Sequence, residues 1–152
     1  MKVFRLCKAK FANDLSGLGA EKSGGRWNSK GVAMVYSSES RALCTTEIAV
    51  HTPLWNLPDD YNLVTIEIPD SLIMEIDIAK LPPDWKSFPH SKSTQKIGDA
   101  FVSKGKNLIF RVPSVVVQGE FNYLINPKHS GINSVKILKV ETFTFDERLF
   151  KK

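Results

Sequence analysis

Leu108-Ile109-Phe110-Arg111-Val112-Pro113-Ser114-Val115-Val116-Val117-Gln118-Gly119-Glu120-Phe121-Asn122-Tyr123-Leu124-Ile125 is the stretch on which the fold class turns. Leu108 to Val112 and Phe121 to Ile125 are short runs of β-branched, aromatic and aliphatic residues, and Val115 to Val117 is a third. Pro113 and Gly119 punctuate them, and the gaps are too short to hold a helix. The stretch therefore predicts successive strands joined by turns, which pair antiparallel. After further turns at Pro127 and Gly131, Val135 to Phe145 predicts another strand, broken near its middle.

Working outward from this C-terminal third, Gly105 closes a helix that a Ser93 cap opens and that Ile97, Ala100 and Phe101 face with apolar side chains. Leu63 to Ile68 reads as a strand and Leu72 to Ile76 as a weaker one. Ser37 or Ser38 caps a second helix reaching about His51, stopped by Pro53. Val3 to Cys7 and Val32 to Tyr36 read as strands, separated by a Gly/Ser-rich loop from Ser16 to Gly31. Strands outnumber helices and do not alternate with them. The fold class expected is therefore α+β, one compact domain over residues 1–152 with a mainly antiparallel sheet.

Composition narrows the functional classes. With 152 residues and 42% apolar content the chain can bury a substantial core. Its longest apolar run is far shorter than a membrane span, and Met1-Lys2-Val3-Phe4-Arg5 lacks the apolar core of a signal peptide, so a cytoplasmic protein is expected. Cys7 and Cys44 form no CxxC and have no zinc-like histidine spacing; they read as buried free thiols, with no metal site. A formal net charge of +5 favours anionic partners, whether nucleic acid, an acidic protein or a phosphate-bearing small molecule. The basic residues are scattered, with some added weight from Lys136, Lys139, Lys151 and Lys152, unlike the concentrated footprint of a DNA-binding module.

Several residues carry candidate chemistry. In Gly24-Gly25-Arg26-Trp27-Asn28-Ser29-Lys30-Gly31, backbone N–H groups and a guanidinium can approach a phosphate; alternatively Arg26 is solvated in a surface turn and Trp27 tucks onto the core. Tyr36, at a strand end, can stack on a ligand ring or sit at the edge of the core. Glu47 shares the i, i+4, i+7 stripe of Leu43 and Val50, so it is either paired with Arg41 or Arg26 or kept where positive charge develops during a reaction. Ser114 can bond a ligand or the backbone, and without a G-x-S-x-G elbow it does not read as a nucleophile. Asn122, Asn126 and His129 read as turn residues or as ligand contacts.

Taken together, the chain resembles the RES domain family. The residues that carry the likeness are Gly25-Arg26-Trp27-Asn28, Gly31, Tyr36, Ala42, Glu47, Gly98, Val112-Pro113-Ser114, Asn122, Asn126-Pro127 and His129. Ser130 stands where many relatives have proline, and it is a second candidate for the site serine. The resemblance implies a fold similar to the ADP-ribosyltransferase catalytic core and a toxin that depletes NAD by cleaving its nicotinamide N-glycosidic bond, with water or phosphate as acceptor. It implies catalytic roles for Glu47, Arg26 and Tyr36: Arg26 holding the NAD phosphates, Tyr36 stacking on nicotinamide, and Glu47 stabilising the ribosyl cation. Ser114, Trp27, Asn28, Asn122, Asn126 and His129 join Arg26 and Tyr36 as substrate-binding residues. The implied partner is an antitoxin with an Xre-like helix-turn-helix domain, through which alone nucleic acid would be contacted; a homodimer is left open.

NAD is the substrate in this reading, so no cofactor is expected, and the absence of G-x-G-x-x-G argues against a Rossmann oxidoreductase. Two other readings stand beside it. One is an ADP-ribosyltransferase that modifies a protein; the other is a non-catalytic basic module binding nucleic acid or an acidic protein.

Overall fold

The computed structural model describes residues 1–53 and 55–151, so Leu54 and Lys152 lie outside the described residues. Seven strands form one sheet: β1 Lys2–Lys8, β2 Val35–Ser38, β3 Tyr61–Glu67, β4 Ile73–Glu75, β5 Ile109–Pro113, β6 Phe121–Ile125 and β7 Lys136–Phe143. Their order is β4-β5-β6-β2-β1-β3-β7. Every pairing is antiparallel except that of β4 with β5. Among the described residues three α-helices complete the α+β fold: α1 Leu18–Ser23, α2 Arg41–His51 and α3 Lys92–Lys104.

Alternation along the strands divides the core. Val3 and Cys7 of β1, Val35 of β2, Val64 and Ile66 of β3, and Tyr123 and Ile125 of β6 pack on one face. Leu124 of β6 with Phe110 and Val112 of β5 points the other way, where Phe101 of α3 and Trp27 cover them. Farther along that second face, Leu6 and Leu63 meet Cys44 of α2, Phe145 and Phe150. Two separate clusters thus cover the two ends of one sheet face. The strands between them, β1, β2 and β6, are left to floor a cavity.

Several boundaries differ from the sequence expectations, each for a local reason. The second strand begins at Val35 rather than Val32, because the Val32 carbonyl accepts from Asn28 Nδ2 and the Met34 backbone lies against Gly17, where a Cβ would come within 2.6 Å of its nitrogen. Ser37 and Ser38 lie inside that strand, with Ser37 Oγ donating to the Tyr123 carbonyl. The α2 cap is instead Ser40, whose Oγ accepts from Leu43 N at 3.0 Å. Likewise Ser91, not Ser93, caps α3, while Gly105 ends it with φ +56° as expected.

Val115 to Val117 is not a strand. The Ser114 hydroxyl captures the N–H groups of Val116 and Val117 at 3.1 and 3.0 Å and turns the chain into the β5–β6 hairpin. The last strand is continuous from Lys136 to Phe143; the break expected there is a bulge, where register with β3 slips between Thr65 and Ile66. The Ser16 to Gly31 loop contains the short helix α1. Cys7 and Cys44 are both buried and free.

Candidate functional site

A cavity of about 680 Å³ lies over the middle of the sheet, within the usual size range of small-molecule sites. Phe4, Leu6, Tyr36, Ser38 and Asn122 are floor residues; Glu47, Ile48 and His51 of α2 form one wall, and Gly24 to Trp27 the other. Lys86, Phe88 and His90 add a rim. Arg26, Tyr36 and Glu47, drawn from a loop, a strand and a helix, all line this one space.

The arginine loop is a tight turn. Gly25 N donates to the Asn28 carbonyl at 2.9 Å, leaving Arg26 and Trp27 at the tip. Trp27 is buried and meets Phe110 edge-on, with ring centroids 5.8 Å apart. Helix α3 holds the turn from below through one face. Gln95 Nε2 donates to the carbonyls of Gly25 and Asn28, and Asp99 Oδ1 accepts from Ser29 N. Gly98, between them on that face, sits so close that a Cβ would fall 1.7 Å from the Trp27 carbonyl oxygen. Gly25 is equally constrained: its Cβ would lie 2.7 Å from the Tyr36 hydroxyl.

Arg26 is half-buried. Its Nη1 donates to the carbonyls of Trp85 at 2.7 Å and Ser87 at 2.9 Å, which ties the rim segment to the loop, and Nε and Nη2 have no hydrogen bond among the described residues. Burial pulls its pKa down, opposed by the charge of Glu47 and by Tyr36, and a guanidinium stays protonated regardless. The Tyr36 hydroxyl donates to Asn28 Oδ1 at 2.7 Å and accepts from Trp27 N at 3.1 Å, and burial raises its pKa far above the ordinary phenol value. With the hydroxyl fixed, what Tyr36 offers the cavity is its ring.

Glu47 is held by one oxygen. Oε1 accepts from Ser114 Oγ at 3.1 Å and from Asn122 Nδ2 at 2.8 Å. Oε2 has no hydrogen bond among the described residues and lies 4.0 Å from His51 Nε2. Neither Arg41 nor Arg26 is its salt-bridge partner: Arg41 reaches across to Glu141 at 3.1 Å instead. Val50, placed on the buried stripe by sequence reasoning, is 56% exposed at the cavity. Leu43 at the start of the stripe is fully buried, while Glu47 and Val50 border the cavity.

The remaining sequence candidates separate. Ser114 is buried and chemically saturated, its single hydrogen directed to Glu47 and both acceptor positions filled by backbone N–H groups. Asn28 is fully buried as the knot of the loop, donating to the carbonyls of Ala20, Ser29 and Val32. Asn126 and His129 do not line the cavity. Asn126 Oδ1 accepts from Lys128 N within the turn and its Nδ2 donates to the Val102 carbonyl of α3, while His129 Nδ1 accepts from Gly131 N, so the pair brace the turn and tie it to α3. Ser130 is exposed on the same turn.

Sequence reasoning missed His51 and the rim residues Lys86, Phe88 and His90. Burial and the nearby charges of Arg26 and His51 lower the pKa of His90. His51 was legible, one helical turn beyond Glu47; the rim was not, since nothing in its residues marks a site until Arg26 tethers it. Among the described residues no group of His, Cys, Asp and Glu could hold a metal ion, and no helix is long and apolar enough to cross a membrane.

The chain is 39% identical over 144 residues to the "Prs ADP-ribosylating toxin" of Sphingobium sp. (strain YBL2), an alignment covering 93% of this chain and 89% of that one. It is 36% identical over 156 residues to the "Toxin Res" of Photorhabdus laumondii, covering 99% and 98% of the two chains. The crystal structure of the M. tuberculosis MbcT-MbcA toxin-antitoxin complex contains a similar chain, with a TM-score of 0.75 over 98% of this chain and 86% of that one; at 20% identity the likeness is one of fold. A family model described as the RES domain matches residues 2–146, and the chain belongs to the RES domain family.

Proposed function

We propose that the protein is the toxin of a toxin–antitoxin pair and that it opens the nicotinamide N-glycosidic bond of NAD. One observation carries the chemistry: Glu47 is clamped by a single oxygen while its other oxygen, without a donor among the described residues, belongs to a cavity shared with Arg26 and the Tyr36 ring. When the bond between C1′ and the pyridinium nitrogen breaks, its electron pair neutralises the departing nicotinamide and the ribosyl carbon becomes cationic. A fixed carboxylate beside that carbon favours the transition state over the ground state. The Nε and Nη2 of Arg26, without a partner among the described residues, are suited to pyrophosphate oxygens, and the Tyr36 ring offers a stacking face for nicotinamide. An acceptor oxygen then bonds to C1′ and releases its proton.

Water or phosphate as acceptor gives NAD depletion. The second reading, transfer to a protein, is favoured by the name of the Sphingobium relative and uses the same first step. Incubation of the purified protein with NAD, with and without phosphate, separates them by mass. Free ADP-ribose or its phosphate ester marks small-molecule cleavage, and a labelled protein added from lysate marks transfer. Neither product, with NAD intact, refutes the reading.

The relatives named as toxins and the neighbouring toxin–antitoxin complex support an antitoxin as partner, and we assign it the Xre-like helix-turn-helix type. The net charge of +5 calls for an acidic segment on it. Expression of the free protein in a bacterial host should arrest growth and lower NAD, with both effects reversed by the co-expressed antitoxin. Arrest at normal NAD levels would point to protein modification.

A further inference from the structure

Ser38 of β2 pairs directly with Asn122 of β6 on one side and with Phe4 of β1 on the other, so the three side chains form a row on the cavity face of the sheet. Ser38 is buried, and its Oγ donates to Asn122 Oδ1 at 2.7 Å. With that end of the amide engaged, Nδ2 faces Glu47 and donates to Oε1 at 2.8 Å. A carboxylate only accepts, so the reversed amide would set oxygen against oxygen; the hydroxyl of Ser38, the amide and the carboxylate fix one another's direction.

We propose that Ser38 and Asn122 are positioning residues that aim Glu47, so that Asn122 acts through the carboxylate and not by binding substrate. Each end of the Asn122 amide already has a partner within the protein, Oδ1 on Ser38 and one Nδ2 hydrogen on Glu47 Oε1, which fixes the orientation of the amide. Ser114 approaches the same oxygen from the β5–β6 turn. The strand pair and the turn thus hold Oε1 from two sides, and only Oε2 is left for the reacting sugar. The charged and titratable groups that face Glu47 are His51 and Cys44 on its own helix and Arg26 from the opposite wall. None of them donates a hydrogen bond to Oε1.

This inference rests on the NAD-cleaving reading, and its test separates the two. In steady-state assays with NAD, Asn122→Ala should lower kcat on the order of tenfold at unchanged KM, because misaim of a fixed group costs the chemical step. The same substitution in a Glu47→Gln background should cost nothing further. Asn122→Asp sets a second carboxylate against Glu47, so the acid limb of its pH–rate profile should move up by about one unit or more, while that of Asn122→Ala does not. Ser38→Ala should reproduce a weaker loss of kcat and leaves the strand backbone intact.

A raised KM for Asn122→Ala, an undiminished effect in the Glu47→Gln background, or an unmoved acid limb in Asn122→Asp would overturn the proposal. Carbon-13 NMR titration of labelled glutamate side chains, with Glu47 assigned by its loss in Glu47→Gln, reads the same coupling without turnover. If the wild-type protein leaves NAD intact, the functional reading fails, and this titration still decides whether Asn122 acts on Glu47.

Discussion

Gly98→Ala is the substitution whose outcome tests how the site is assembled. On an exposed helix this exchange stabilises by about 1 kcal/mol, since alanine is the better helix former. At Gly98 the added Cβ would lie 1.7 Å from the Trp27 carbonyl oxygen, with the Trp27 carbonyl carbon at 2.7 Å, and both are backbone atoms that cannot swing aside. The loop must therefore retreat by more than an ångström. That motion pulls against the Gln95 and Asp99 bonds at either side, lifts Trp27 from Phe110, and carries Arg26 out of line. Overpacking costs roughly 1–3 kcal/mol, enough to cancel the helical gain, and a displacement of about an ångström costs on the order of 100-fold in rate. The assay is NAD turnover beside a thermal melt, with Gly19→Ala as control, because a Cβ at Gly19 meets nothing within 4 Å. Gly98→Ala should lose about 100-fold in kcat/KM with a modestly lowered Tm, and Gly19→Ala should remain active. A Gly98→Ala protein with normal turnover would refute the claim that α3 sets the position of Arg26.

Other substitutions separate the roles within the cavity. Glu47→Gln keeps the shape and removes the charge, so kcat should fall by a factor on the order of 100 or more in a folded protein that still binds NAD; near-normal turnover would make the residue structural. Arg26→Lys keeps a charge but gathers its donors on one nitrogen, losing the planar fork whose separate nitrogens face the carbonyls and a phosphate, so KM should rise and limited proteolysis should open the chain near Trp85 to Ser87; unchanged KM would remove the phosphate role. Tyr36→Phe leaves the Trp27 N–H and the buried Asn28 Oδ1 without a partner, which should cost about 2 kcal/mol and lower Tm by roughly 4–8 °C, as a melt would record. His90 has a folded-state pKa below its unfolded value, so the unfolded chain binds the extra proton as pH falls, and stability present above about 6.5 is lost below it. Tm measured from pH 7 to 5 should decline more steeply in the wild type than in His90→Gln, and parallel declines would rule the group out.

The antiparallel sheet was legible because its strands are marked twice, by composition and by Pro and Gly between them. Leu108 to Val112 and Phe121 to Ile125 fell close to where β5 and β6 lie. What escaped was decided by single side chains competing for backbone. Val115 to Val117 has the composition of a strand, yet the Ser114 hydroxyl takes two of its N–H groups first. Ser37 and Ser38 were the caps expected on paper; the pairing of β2 with β6 places both inside the sheet and leaves Ser40, not singled out in the sequence, at the helix end.

The candidate site divides along the same line. Glu47 stood out because a carboxylate on an apolar stripe asks for an explanation, and the structure supplies one in a cavity wall held by Ser114 and Asn122. The family resemblance placed Asn28, Asn126 and His129 with the substrate, whereas residue type alone also allowed turn roles, and in the structure their hydrogen bonds brace the loops and neighbouring helices. An asparagine in a turn and an asparagine in a ligand site look alike in one dimension, because what separates them is whether the backbone has already claimed both ends of the amide. Asn122 is the intermediate case. Each end of its amide has a partner, Ser38 at the oxygen and a carboxylate at the nitrogen rather than the backbone, and that difference makes it a means of aiming Glu47.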